Sequence, residues 1–168
     1  MNTLRMTEQS NNRLYTGTTT LTLLGFPSGY SAPTSNHWKI VSFNNSVYFF
    51  QRGQVPLKQT NGTGALAVLA HGNNDAPKTN EVLTAFGRLW TADSTTNKYT
   101  VHFSNLLGDD FHPSGTNNAG TLDLTKVWAS DEIVALAEFN GSLVILGKRQ
   151  TVLYKGADSI DTIALVDI

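Results

Sequence analysis

The chain has no cysteine, so no disulfide framework is available to it, which fits a protein assembled inside a cell. It is also poor in charge. Charged residues make up 15% of it, against roughly a quarter in an average domain. With 12 basic and 13 acidic side chains, no surface is marked out for DNA or for anionic lipid. No apolar run approaches the 18 or so residues of a membrane-crossing helix. Met1 to Arg13 lacks the basic start and apolar core of a secretory leader, so a soluble protein is expected. No segment carries a sustained helical apolar stripe, and Thr125 to Ser130 offers at most one helical turn. Asn, Thr, Ser and Gly supply the polar surface instead, as in loop-rich β proteins that neighbours cover in an assembly.

What is present is a hairpin pattern that recurs. An apolar run from Ile133 to Phe139 meets Asn140-Gly141, and a second run follows from Leu143 to Leu146. A polar break spans Gly147 to Gln150, and Thr151 to Tyr154 completes a three-stranded meander. Asn-Gly between β-rich runs signals a type I′ turn, whose two central residues both need φ > 0. Moved back by 96 positions, the stretch matches the chain again without a gap. Phe139 falls on Phe43, Asn140 on Asn44, Ser142 on Ser46 and Ile145 on Phe49; beyond the turn, Lys148 falls on Arg52, Gln150 on Gln54 and Leu153 on Leu57. A third copy lies between them at Val82 to Trp90, with Phe86-Gly87 in the place of the phenylalanine and turn. The spacings, 43 residues from Phe43 to Phe86 and 53 from Phe86 to Phe139, bracket the length of a four-stranded propeller blade.

In chain order, residues 1–12 are polar and aperiodic, and 1–30 read as an N-terminal arm with a first strand, Thr16 to Leu24. Residues 31–168 then hold three repeats, at about 36–75, 80–125 and 131–168. The first offers strands at Trp38 to Phe43, Ser46 to Phe50, Gln54 to Lys58 (an edge, given Pro56) and Ala65 to Ala70. The second offers Glu81 to Phe86, Arg88 to Ala92, Tyr99 to Ser104 and Thr121 to Leu124. The third offers Glu132 to Phe139, Leu143 to Leu146, Thr151 to Lys155 and Thr162 to Asp167. The expected fold is all-β, with about three four-stranded propeller blades in an incomplete ring; a β-sandwich is the alternative. The positions that define the repeat are Phe43, Asn44 and Gln54, then Phe86, Gly87 and Trp90, then Phe139, Asn140, Gly141, Gln150 and Tyr154. Three blades do not close a ring, so other chains or further blades are expected to cover the open edges.

Catalytic chemistry finds little to work with. His102 and His112 flank Asp109 and Asp110, the one candidate metal constellation, but a solvated loop accounts for the same residues. Asp93, Asp123, Glu132 and Glu138 are too scattered for a glycosidase pair. There is neither a phosphate-binding Gly-rich loop nor a nucleophile elbow. No catalytic residue, cofactor or metal is expected. Asn44-Asn45-Ser46, Asn61-Gly62-Thr63 and Asn140-Gly141-Ser142 match the glycosylation sequon, but each sits at a turn that needs Asn or Gly for its own geometry. Trp38, Trp90 and Trp128 read as blade core rather than as a ligand platform.

From Glu81 onward the segments Phe86-Gly87-Arg88-Leu89-Trp90, Val101-His102-Phe103-Ser104-Asn105-Leu106-Leu107 and Gly120 to Trp128 stand in a distinctive order. Asp131 to Leu136, Asn140 to Gly147 and Val152 to Asp158 follow. Together they resemble the tail nozzle proteins of short-tailed phages, also called tail tubular protein B or packaged-DNA stabilisation protein. The likeness covers about half the chain. It implies a propeller-bearing virion protein, assembled in the host cytoplasm, without enzymatic activity and with no membrane in the virion. It also implies a hexameric ring beneath the portal and adaptor, with docking for fibre or tail-tip proteins. Genomic DNA would pass through the lumen without sequence-specific binding, and packaged DNA would be retained before infection. Family members are longer and continue into further blades, so no gate or hexamer-contact residue is carried over. Near-neutral charge suits such a conduit, because phosphate affinity grows with the number of Lys and Arg contacts. A carbohydrate-binding β module of a receptor-recognition protein is the alternative.

Overall fold

A computed structural model describes residues 13–17, 20–33, 37–61, 64–71, 74–93, 97–113, 118–128, 131–157 and 164–167. The expected arm at 1–12 and the turn residues 62–63 lie outside them. The described residues form strands and no helix. In chain order the strands are β1 (Leu14–Thr16), β2 (Thr22–Leu24), β3 (Lys39–Phe43), β4 (Ser46–Phe50), β5 (Leu57–Thr60), β6 (Ala67–Val68), β7 (Ala70–His71) and β8 (Asn74–Asp75). They continue as β9 (Glu81–Ala85), β10 (Arg88–Ala92), β11 (Thr100–Phe103), β12 (Gly120–Asp123), β13 (Ile133–Phe139), β14 (Ser142–Gly147), β15 (Thr151–Lys155) and β16 (Ala164–Asp167).

Three four-stranded antiparallel meanders result: β3-β4-β5-β6, β9-β10-β11-β12 and β13-β14-β15-β16, each with its strands in sequence order. Two small hairpins, β1-β2 and β7-β8, accompany them. The expected single strand at Thr16 to Leu24 is thus a hairpin, in which Leu14 pairs with Leu24 and Thr16 with Thr22. Pro56 precedes β5 rather than lying in it, because a residue without an N–H is excluded from the ladder.

The first hairpin of each meander turns on two residues with positive φ: Asn44 and Asn45, Phe86 and Gly87, and Asn140 and Gly141. These are the I′ turns that match the right-handed twist of the strands. Phe86, at φ 53°, stands on the turn with Asn44 and Asn140; Ala85, paired with Arg88, is the counterpart of Phe43 and Phe139. The expected match of Phe86 to the two phenylalanines is therefore off by one. A bulky side chain at positive φ is costly, and here the ring is held edge-on to Trp90, 6.4 Å between centroids. A further one-residue slip follows the second turn. Leu57 pairs with Phe49, whereas Leu153 pairs with Val144, since the connection before β15 is shorter than the one before β5.

The sheets stack in chain order. The first strands adjoin, β3 against β9 and β9 against β13, which is a propeller-like, blade-by-blade arrangement. Each neighbouring pair is also a local sheet-on-sheet packing of the kind a sandwich uses. Alternation sorts the side chains. Tyr48 and Phe50, with Val41 and Phe43, leave the first sheet towards Val82 and Leu89 of the second. Trp90 and Ala92, with Leu83 and Ala85, leave the second towards Leu136, Leu143 and Ile145 of the third. On the other side of the first sheet, Val47, Phe49 and Leu57 pack under Leu14 and Leu24 of the β1-β2 hairpin. Ion pairs lie at the entries to the later sheets, Lys39 with Glu81 at 3.2 Å and Lys98 with Glu132 at 3.3 Å. With their lysines largely in solvent, they contribute little stability.

Candidate functional site

The loop after β11 gathers the most polar chemistry. Ser104 Oγ accepts from Leu89 N at 3.0 Å and donates to Gly108 O at 2.7 Å. Asn105 closes the loop on itself: its N donates to Asp110 O at 2.8 Å and its Oδ1 accepts from Asp110 N at 3.1 Å. A Cβ at Gly108 would run into the Asn105 amide, so a residue without a side chain is required there. Leu107 N then donates to Gly87 O at 2.7 Å, and Asn44 Nδ2 donates to Leu107 O at 2.5 Å. The loop of the second sheet thereby straps the turn of the first.

At the far end of the strap, Asp109 Oδ2 accepts from Tyr48 Oη at 2.8 Å and from Lys58 Nζ at 2.6 Å. The Lys58 ammonium also lies 5.6 Å from the Tyr48 ring centroid. Burial, and then the Asp109 carboxylate, push the Tyr48 hydroxyl well above its ordinary value, so it stays protonated and donates. The triad is a clamp between the first two sheets, with no acid and base poised against each other. Asp109→Ala leaves a tyrosine hydroxyl and a lysine without this partner; an expected loss of about 1–3 kcal/mol is checked by urea unfolding.

The one candidate metal constellation in the sequence is not assembled among the described residues. His102 is cross-strand from Thr91 and Thr121, and burial lowers its pKa, keeping it neutral. Asp110 Oδ1 accepts from His112 N at 2.8 Å, a local loop cap. No group of three metal-ligating side chains occurs among the described residues. The side chain of His71 lies outside them.

Two features had no signal in the sequence. Arg88, buried on β10, donates to Ser104 O at 2.6 Å and Asn118 O at 2.7 Å, with its guanidinium over the Phe103 ring. Asp131, also buried, accepts four backbone N–H groups, from Glu132, Lys148, Arg149 and Gln150, at 2.8 to 3.0 Å. Burial alone would raise the Asp131 carboxyl, but the four donors outweigh it and hold the pKa below the usual carboxylate range. A short run of turn residues between two strands, preceded 17 to 19 residues earlier by a single Asp, is too loose a pattern to read in advance.

The repeat residues take structural places. Trp90 and Tyr154 are buried, while Phe43 and Phe86 are partly buried against the apolar layers. Asn44, Gly87, Asn140 and Gly141 form turns, and Gln150 reaches Asp131 through its N–H. Gln54 lines a cleft of about 320 Å³ with Tyr30, Val55 and Lys78. Phe139 is 70% exposed. A second cleft, of about 390 Å³, lies beside the β1-β2 hairpin and is lined by Arg13, Leu23, Leu24, Phe26, Tyr30 and Pro33. The Tyr30 hydroxyl donates to Val55 O at 2.7 Å, and burial pushes its pKa up to about 12.

No family model matches the chain, and no curated protein matches it.

Proposed function

We propose that the chain is a non-enzymatic structural component of a phage tail: a nozzle or hub protein that forms part of a DNA conduit below the portal and adaptor and helps retain packaged DNA. The reading is supported by where the tail-nozzle likeness falls. Its segments from Glu81 onward are the strands and straps of the second and third meanders, two consecutive blade-like sheets. The carboxylates agree with it, since Asp109, Asp131 and Glu132 are engaged in holding loops and strands. In this role the protein assembles with itself, in the family's case as a hexameric ring, and with adaptor and fibre or tail-tip proteins. DNA slides past it ungripped. An antibody raised against the chain is expected to decorate the tails of intact virions in electron micrographs. Label absent from virions, or confined to the capsid, overturns the reading. Duplex DNA is expected to show no retention at physiological salt, below even the roughly 10⁻⁴–10⁻⁶ M of ordinary non-specific binding.

One observation favours the carbohydrate-binding alternative. Phe26 stacks between Tyr30 and Trp38, at 5.6 and 6.2 Å, beside the larger cleft, and aromatic faces of this kind take sugar rings. Hits on a glycan array lost on Tyr30→Ala would support that role; the tail reading expects none.

A further inference from the structure

An asparagine followed by glycine is open to attack by its own main chain, because glycine has no side chain to shield the next nitrogen. The chain holds two such pairs, Asn61-Gly62 and Asn140-Gly141, and a related turn at Asn44-Asn45. The fold treats them differently. Asn44 Nδ2 donates to Leu107 O, and Asn45 Nδ2 donates to Asn61 Oδ1 at 2.9 Å, so these three carboxamides are held. Asn140 stands exposed on the turn between β13 and β14, and its carboxamide makes no hydrogen bond among the described residues. Gly141 is exposed as well, with open space where a Cβ would stand.

One group restrains reaction there. Gly141 N donates to Glu138 Oε1 at 3.1 Å, and the exposed Glu138 makes no ion pair among the described residues. A main-chain nitrogen attacks only after losing its proton. A carboxylate seated on that proton occupies the donor and, by like-charge repulsion, disfavours the anion that its loss would create.

We propose that Asn140 is a deamidation site of the folded protein, and that the Glu138 carboxylate is the brake that sets its rate. Hydroxide removes the Gly141 N–H proton, and the nitrogen attacks Asn140 Cγ. A C–N bond forms there, the bond from Cγ to the side-chain nitrogen breaks, and ammonia leaves with a proton returned by water. Water then opens the five-membered imide at either carbonyl, leaving aspartate or isoaspartate, with nothing oxidised or reduced. Isoaspartate adds a main-chain atom to a two-residue connection whose length fixes the Phe139–Ser142 pairing, so it loosens the hairpin. The chemistry proceeds in the isolated chain and does not rest on the tail reading.

The test is peptide mapping by mass spectrometry. Trypsin releases Val127–Lys148, in which Asn140 is the sole side-chain amide, so the mass of that segment reports on this residue alone. After the folded chain is incubated at mildly alkaline pH, the segment is expected to show conversion of amide to acid, with isoaspartate among the products. It is expected to do so before the segments that carry Asn44, Asn45 and Asn61. Glu138→Ala is expected to raise the folded-state rate about two- to tenfold, as one hydrogen bond is lost from the nucleophile. Glu138→Gln keeps an acceptor without the charge and is expected to raise it less. In urea, where the turn is gone, wild type and Glu138→Ala are expected to convert at the same rate. A Val127–Lys148 segment that keeps its mass, or converts after the other three, overturns the site. A folded Glu138→Ala that converts no faster than wild type, or an equal acceleration in urea, overturns the brake. If Glu138→Ala loses its far-UV circular dichroism, Glu138→Gln carries the same comparison.

Discussion

Trp90→Ala is expected to remove about 3–5 kcal/mol of folding free energy, a large part of the 5–15 kcal/mol that a domain of ordinary stability has. The indole is 1% exposed and fills the layer between the second and third sheets. Phe103 lies 5.0 Å from it, centroid to centroid, Phe86 meets it edge-on, and Nε1 donates to Ala85 O at 3.0 Å. Alanine leaves a cavity that rigid strands on either side cannot collapse into, and it releases the Phe86 ring that accompanies a turn at positive φ. The transition midpoint should fall by about 10 °C or more, read by thermal melting and by urea unfolding. Trp90→Phe keeps most of the apolar volume and loses the donor, so a smaller loss of about 1–2 kcal/mol is expected. If both substitutions leave the midpoint unchanged, the layer between these sheets is not where stability resides.

The contrast between what the sequence shows and what it hides follows from the range of each interaction. Ser46–Phe50, Arg88–Ala92 and Thr151–Lys155 form strands with the expected limits, because alternation and a turn signal are written into a few consecutive residues. The all-β class and the three consecutive four-stranded meanders follow from the same local code. Register is less local. By residue type Phe86 matches Phe43 and Phe139, whereas the backbone uses it as a turn residue at φ 53°; residue type and backbone conformation point in different directions there, and the turn prevails. The slip after the second turn has the same origin, since a gapless match has no means of seeing a shorter connection.

Long-range polar contacts are the least legible. Tyr48, Lys58 and Asp109 come from two sheets, and nothing within any one segment ties them together. In the sequence Asp109 and Asp110 suggested at most a loop or a metal site; in the fold one is the anchor of a strap and the other caps His112. The apolar faces of the sheets sit between these extremes. Their alternation is visible in each strand, but which face meets which sheet emerges only once the pairings are known.

Asp131 supports the sharpest chemical prediction. Its Oδ1 accepts from Glu132 N and Lys148 N, and its Oδ2 from Arg149 N and Gln150 N. Asparagine is therefore no conservative replacement: whichever way its amide turns, an NH₂ faces two N–H donors, and buried donors are left unmet. Asp131→Asn and Asp131→Ala should both lower the melting midpoint, by about 10 °C, and loosen the turn that joins β14 to β15. Gly147→Ala should reproduce part of the effect, because a Cβ there collides with the same carboxylate. The pH dependence separates this cause from simple misfolding. The carboxyl's pKa is depressed in the folded state and returns to about 3.9 on unfolding. Near and below that value the unfolded chain binds the extra proton, so the stabilisation is complete above the unfolded pKa and is lost as pH falls through it towards the folded value. Wild type should lose stability steeply on the acid side, with Glu132 and Asp123, also depressed, adding to the slope. Asp131→Asn should begin lower at neutral pH and fall less on acidification, so that the two curves converge in acid. Parallel curves would mean that Asp131 titrates alike in folded and unfolded chains, and the four-donor nest would then not be what holds this turn.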